Sequence, residues 1–424
     1  MWREPRRVMT DAAIRQAIER KREGNELDGA LWHALITAYM DGDVDDAQMA
    51  ALCMASLWRG LSATEIFALT DAIVHSGATV HFSPDVRVVD KHSSGGVSDI
   101  VSLVAVPLAA ACGVKVAKLS GRALGHTGGT IDKLETIRGF DVALSLERFV
   151  AQVEHVGCAI SAQSAEIVPA DKRLYHLRDH TATVPSMGLI AASIVSKKIA
   201  GGAHGIVFDV KTGAGGFMRD IEQAAQLGVT MVDLARRFGR SATALITDMN
   251  EPLATCIGTG IEIAEACELL RGERGDDRAV DLAVHIVRAM LRVSNLDDAE
   301  DRVISALRSG AAYTMFGAMV QAQGGTAKSL DALHVPQSGI DVLAPHAGYI
   351  TAIDVVRLGH LGRSLAAQDP MHGITMKSRI GTYCEAGMPL FAIHGGPVPD
   401  DLASVVTLES QPVAAHALVA RVIA

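Results

Sequence analysis

The chain has 424 residues, of which 49% are hydrophobic, 21% charged and only 4% aromatic, and its formal net charge is -9. That length predicts two or three domains with a sizeable buried interior, and the composition excludes a disordered or disulfide-stapled chain. The negative balance argues against a general nucleic-acid or anionic-membrane binder, whose affinity rests on clustered Lys and Arg.

The opening MWREPRRVMT is basic but leads into polar and charged residues, which does not suit a signal peptide. With no uninterrupted apolar stretch of about 20 residues for a bilayer, the expectation is a soluble, cytoplasmic protein. Residues 11–77 read as four short helices, with apolar residues at helical spacing in AAIRQAIER, ALWHALITAYM and AQMAALCMASLW. The fourth opens on a capping box, Ser62 with Glu65, and Gly77 is expected to close it. Near residue 80 the texture changes. Short β-branched or apolar runs at 86–90, 114–118, 205–210 and 242–248 each precede a loop and a helical stretch, which predicts a mostly parallel sheet with ligands at the strands' carboxyl ends. From about residue 335, short β-like runs with turns predict a small α+β end domain. The six cysteines form no CxxC pair and read as reduced, buried thiols rather than zinc or redox groups.

Two Gly-rich loops carry the chemistry. The first, Lys91-His92-Ser93-Ser94-Gly95-Gly96, combines a cation, hydroxyls and pliable backbone ahead of a helix, which suits an anion such as phosphate. The second, KLSGRALGHTGGTIDKLE from Lys118 to Glu135, adds another lysine and more hydroxyls after a neighbouring strand. Taken singly, the glycines also serve as turn formers, Ser120 and Thr130 as caps, and His126 as a structural hydrogen-bonder.

The run Ser120 to Glu135, SGRALGHTGGTIDKLE, closely resembles the signature of the thymidine and pyrimidine-nucleoside phosphorylase family. The resemblance extends through DKHSSGGVSD, PADKRLYHLRDHTATV, IAASIVSKKIA, FDVKTGAGGFM and TALITDMNEPL, in family order up to about residue 330. It implies an α/β protein: a helical lobe (1–77, completed by about 170–200), a larger α/β lobe with a mostly parallel sheet (80–165 and 201–334), and a small α+β C-terminal domain (335–424). It implies phosphate on Lys91, Ser93, Ser102, Lys118, Ser120 and Thr130. It puts the base on His92, Arg178, Ser193 and Lys197, walled by Leu124, Val184, Ile190 and Phe217. Read without the resemblance, Arg178-Asp179 and Lys197-Lys198 are ordinary charged helix faces, and the apolar four are ordinary core.

The implied activity is phosphorolysis of pyrimidine nucleosides to free base and pentose 1-phosphate, with inorganic phosphate as co-substrate, no organic cofactor, and a homodimer through the helical lobe. Family members restricted to 2'-deoxynucleosides resemble one another in an apolar methionine at the position of Lys118, whereas broad-specificity members carry lysine. Broad-specificity members also hold potassium, at positions that match Ser98, Ile100, Leu253, Cys256 and Glu265. Ile100 brings no side-chain oxygen, which weakens the case for the ion here. The region after Leu358 is shorter than the family pattern and lacks its Gly-rich stretch. The competing readings are a thymidine-specific phosphorylase, an anthranilate-type phosphoribosyltransferase, which would need magnesium carboxylates, and a non-catalytic nucleoside binder.

Overall fold

A computed structural model describes residues 9–123, 125–273, 277–296, 300–399 and 401–424. The chain divides into two compact units, one formed by Met1–His81, Ser164–Ala203 and Val229–Ser241, the other by Phe82–Gln163, His204–Gly228 and Ala242–Ala424.

The first unit is helical. It opens with α1 (Asp11–Arg22), α2 (Gly29–Asp41), α3 (Asp46–Arg59) and α4 (Ala63–Val74), the four helices expected from the apolar spacing. Each starts where Thr10, Asp28, Asp45 or Ser62 turns a side-chain oxygen onto a first-turn amide that the helix itself leaves unbonded. The Ser62–Glu65 capping box forms, and Glu65 does more than cap. Its carboxylate is buried and accepts Lys21 Nζ at 2.7 and 2.9 Å as well as the Leu27 amide at 3.0 Å, tying α1 to α4. Gly77 does not close the fourth helix. That helix ends at Val74 with His75 as its cap. A Cβ on Gly77 would fall 2.2 Å from the Glu166 carbonyl, so the glycine serves the close approach that lets Ala78 bridge to Ile167.

The second unit is built on β1 (Val88–Ser93), β2 (Lys115–Ser120), β3 (Cys158–Ala162), β4 (Gly205–Thr212) and β5 (Ser241–Asp248). Between them lie α5 (Val101–Ala111), α6 (Thr130–Leu134) and α7 (Leu146–Val156), then α8 (Pro169–His180) and α9 (Met187–Ala200) of the helical unit, and α10 (Ile221–Arg237). Beyond β5 follow β6 (Cys256–Ile257), α11 (Gly260–Leu270), α12 (Arg278–Val293), α13 (Glu300–Arg308), α14 (Ala311–Ala322) and α15 (Ala327–Asp331). Helix α5, VSLVAVPLAAA, is apolar on every side and accordingly buried on every side, packed against α12 and α14.

The six-stranded sheet has the order β13-β5-β4-β1-β2-β3. Strand β1 runs parallel to β2 and β4, and β2 parallel to β3; β13 (Val419–Ile423) pairs antiparallel with β5. The remaining C-terminal elements are β7 (Ile340–Leu343), β8 (Gly348–Ile353), α16 (Val355–Ala366), β9 (Gly373–Met376), β10 (Tyr383–Cys384), β11 (Pro389–His394) and β12 (Val406–Glu409). They make a three-stranded sheet, β10-β8-β12, and a four-stranded one, β6-β9-β11-β7. All six cysteines are buried and none forms a disulfide. Among the described residues no single helix is long and apolar enough to cross a membrane.

Candidate active site

In the second unit the chain lays down β2 and β3 on one side of β1 and β4 and β5 on the other, so the strand order reverses between β1 and β4. Open α/β sheets collect ligands outside the carboxyl ends at such a reversal. Those ends carry the polar residues. Strand β1 was expected to stop at residue 90 but continues through Lys91 and His92 to Ser93, in register with Val207, Phe208 and Asp209 of β4. Because side chains alternate along a strand, Lys91 and Ser93 share one face while His92 takes the other. The same period pairs Lys118 with Ser120 on β2 and Asp209 with Lys211 on β4.

Lys91 and Lys211, both fully buried, each place Nζ 2.9 Å from the same Asp209 oxygen. The other Asp209 oxygen accepts the Thr247 hydroxyl at 2.6 Å. Lys118 donates to the Lys91 carbonyl at 2.8 Å, which joins the second loop's lysine to the first loop's strand. Ser93 donates to Asp99 at 2.5 Å, and Asp99 also accepts the Val101 amide at the start of α5. Burial works against the charge of Lys91, but the carboxylates of Asp209, Asp99 and Asp90 outweigh it and raise the lysine above its ordinary range. Burial likewise opposes ionisation of Asp99. Lys211, Lys91, the Ser93 hydrogen bond and Lys133 override it and hold the carboxyl well below the usual carboxylate range. The result is a buried network of alternating lysines and carboxylates, Lys91, Lys211 and Lys133 facing Asp209, Asp99 and Asp90, at the carboxyl ends of the strands.

Ser102 lies in the first turn of α5 and is buried, Ser120 ends β2, and Thr130 opens α6 after Gly129. The two Gly-rich loops meet: Gly95, held at φ 98°, would place a Cβ 3.6 Å from Thr127 and 3.4 Å from the Phe217 ring. Phe217 is 42% exposed, and its ring centre is 5.8 Å from that of His126, whose Nε2 lies 2.9 Å from the Gly215 carbonyl. Leu124 lies outside the described residues.

The helical unit holds the other candidates. On α9, Ile190, Ser193 and Lys197 follow at steps of three and four and so share a helix face. Lys197 Nζ donates to the Ser193 carbonyl and hydroxyl, each at 2.9 Å, and forms an ion pair with Asp171 of α8. Arg178 of α8 is 3% exposed and donates to the Val184 carbonyl at 2.8 Å and the Leu189 carbonyl at 3.2 Å. Its Nε is buried with no hydrogen-bond partner, and burial lowers its pKa. Ile190 and Val184 are half-buried.

Sequence reading missed Asp99, Asp209 and Lys211. The signal was in VFDVKT: a carboxylate and an ammonium two residues apart in a strand fall on one face, beside the lysine of a parallel neighbour.

The matched potassium positions lie around residues 251–256, and the residues present do not fit an alkali cation. The Ser98 hydroxyl donates to the Cys256 carbonyl at 2.5 Å, which occupies that carbonyl, and Glu265 accepts the Thr255 and Cys256 amides at 3.0 and 2.8 Å together with the Thr255 hydroxyl. Among the described residues no group of three His, Cys, Asp or Glu side chains is placed to hold a metal ion.

Residues 85–313 match the glycosyl transferase family a/b domain and residues 15–77 that family's helical bundle domain. The chain is 40% identical over 422 residues to a pyrimidine-nucleoside phosphorylase of Geobacillus stearothermophilus, covering 95% of this chain and 98% of that one. It is 42% identical over 397 residues to a thymidine phosphorylase of Burkholderia cenocepacia, covering 89% and 90%. In fold it is similar to the crystal structure of an anthranilate phosphoribosyltransferase from Thermus thermophilus, with a TM-score of 0.58 and 20% identity over 72% of this chain and 99% of that one.

Proposed function

This chain belongs to the thymidine and pyrimidine-nucleoside phosphorylase family, and we infer that it is a pentosyltransferase that uses inorganic phosphate to split pyrimidine nucleosides into free base and pentose 1-phosphate. The observation that supports this reading is the gathering of lysines and strand-end hydroxyls from both Gly-rich loops at the reversal between β1 and β4, where α/β sheets take their ligands.

In the reaction, the bond from the anomeric carbon to the pyrimidine nitrogen breaks with its electron pair leaving on the base, and a phosphate oxygen forms the new bond to that carbon. Positive charge grows on the sugar and negative charge on the base. Lys91, Ser93, Ser102, Lys118, Ser120 and Thr130 hold the phosphate, whose negative charge faces the sugar cation. Arg178 and Lys197 stabilise the departing base at its carbonyl oxygens; fixed charges of this kind contribute about 3 kcal/mol or more each. Ser193 orients Lys197 and hydrogen-bonds the base. His92 donates a hydrogen bond or a proton to it, and Phe217, Val184, Ile190 and Leu124 wall its ring. A cytoplasmic homodimer belongs to the same reading.

The test is release of free base from thymidine, deoxyuridine, uridine, cytidine and inosine, each with and without phosphate and with and without magnesium. Phosphate-dependent, magnesium-independent release from the uracil and thymine nucleosides is the expected result. Tight nucleoside binding without turnover would support a binder, and activity only with a magnesium-bound diphosphate sugar would support a phosphoribosyltransferase.

A further inference from the structure

A hard cation such as potassium is held by oxygen lone pairs, so the matched positions can be tested oxygen by oxygen. The Ser98 carbonyl accepts the amides of Ile100 at 3.1 Å and Ala254 at 3.3 Å; the Ile100 carbonyl accepts Leu103 at 2.9 Å and Val104 at 3.2 Å. The Cys256 carbonyl takes the Ser98 hydroxyl, and the Glu265 oxygens take Thr255 and Cys256. The last one, the Leu253 carbonyl, accepts Arg379 Nη2 at 3.2 Å, while Arg379 Nη1 donates to the adjacent Pro252 carbonyl at 2.6 Å and lies 3.7 Å from Glu251.

We propose that Arg379 takes the place of an alkali cation, its guanidinium holding residues 251–254 so that they position the phosphate loop. The route is a continuous set of hydrogen bonds within one unit. Leu253 and Ala254 donate their amides to the Val97 and Ser98 carbonyls at 3.2 and 3.3 Å, and the next residue, Asp99, accepts the hydroxyl of Ser93. A planar guanidinium reaches two neighbouring carbonyls at once and carries a permanent charge. It supplies what a bound cation would, without a dissociation equilibrium. Arg379 is a positioning residue, since it acts through the 251–254 segment and touches no candidate substrate group.

The inference rests on the proposed function for its kinetic assay, and a thermal measurement separates the two. Uridine phosphorolysis and Tm are measured in potassium chloride and in tetramethylammonium chloride of equal ionic strength, for the wild type, Arg379→Met and Arg379→Lys. The wild type is expected to differ between salts by less than about twofold in kcat/KM, and Arg379→Met to raise KM for phosphate about tenfold while moving KM for uridine much less. Arg379→Lys, which keeps the charge but cannot span both carbonyls in the same way, should recover only part of that loss; the split between the two KM values is what a purely structural role would not predict. Saturable activation of the wild type by potassium beyond about fivefold, a potassium-specific rise in its Tm, or an unchanged phosphate KM in a folded Arg379→Met would each overturn the proposal. Should Arg379→Met fail to fold, the wild-type salt comparison and Arg379→Lys decide. If no nucleoside is cleaved, the proposed function fails, while the Tm comparison and the phosphate-induced rise in Tm of wild type and Arg379→Lys still test Arg379.

Discussion

Arg178 keeps a guanidinium out of water with two carbonyls as partners and its Nε unpaired. A buried polar atom left unbonded costs about 1 to 3 kcal/mol, a cost that a ligand carbonyl would relieve. We therefore expect Arg178→Ala and Lys197→Ala each to lower turnover by at least about 100-fold while leaving the protein folded. Near-wild-type turnover in either folded variant would remove the base-site assignment. Lys118 poses a subtler question, because it supports the Lys91 backbone as well as standing beside the proposed pentose. Its replacement should weaken every substrate through the lost hydrogen bond, so the informative quantity is a ratio. With methionine there, a ribose 2'-hydroxyl would be buried without a partner, and Lys118→Met should lose uridine cleavage preferentially over thymidine, by roughly 5- to 150-fold in kcat/KM. Equal losses for both nucleosides would make Lys118 a phosphate counter-charge only, and a wild-type uridine value under about one hundredth of the thymidine value would mark a thymidine-specific enzyme.

Among the elements, α4 shows how one residue serves two levels of structure. Ser62 and Glu65 at a three-residue spacing announced a helix start, and the start is there. Nothing in the local sequence announced that Glu65 also neutralises a lysine 44 positions earlier. Removing one partner of a buried pair strands the other, at about 3 to 5 kcal/mol. Glu65→Gln should therefore lower the chemical-denaturation stability of the protein by that order, and Lys21→Met combined with Glu65→Gln should recover part of it. A Glu65→Gln loss no greater than a surface cap, about 1 kcal/mol, would mean that the pair contributes nothing beyond the cap. Strand β1 makes the complementary case. The β-branched run ended at Asp90, so Lys91 to Ser93 read as loop, yet parallel pairing with β4 carries the strand three residues further. That extension fixes which side chains share a face, and so sets Lys91 and Ser93 together and His92 apart.

At the scale of the whole molecule, the proposed phosphate groups belong to one compact unit, together with His92 and Phe217, while the base groups proposed on α8 and α9, Arg178, Ser193 and Lys197 among them, belong to the other. The two can be read separately by hydrogen–deuterium exchange, because protection reports local stability segment by segment. Phosphate alone should slow exchange over residues 91–102 and 118–131 and leave 178–197 unchanged. A pyrimidine nucleoside analogue added with phosphate should slow both sets. Protection of 178–197 by phosphate alone, as strong as at 91–102, would count against this division of labour.

Much of this was written in the chain itself. The four opening helices follow from apolar spacing and from Thr, Asp and Ser at their starts, since a helix must bury one face and satisfy its first amides locally. The strand-loop-helix alternation announced the sheet, and the long run from Ser120 to Glu135 carried the family. Those are short-range signals. What the sequence alone left undecided depends on which strands become neighbours: that β4 lies beside β1, that Asp209 therefore sits between Lys91 and Lys211, and that Arg379, more than 120 residues beyond Pro252, reaches its carbonyl. A buried charge is tolerable only with its partner in place, and those partners come from distant parts of the chain, so only the tertiary structure could pair them.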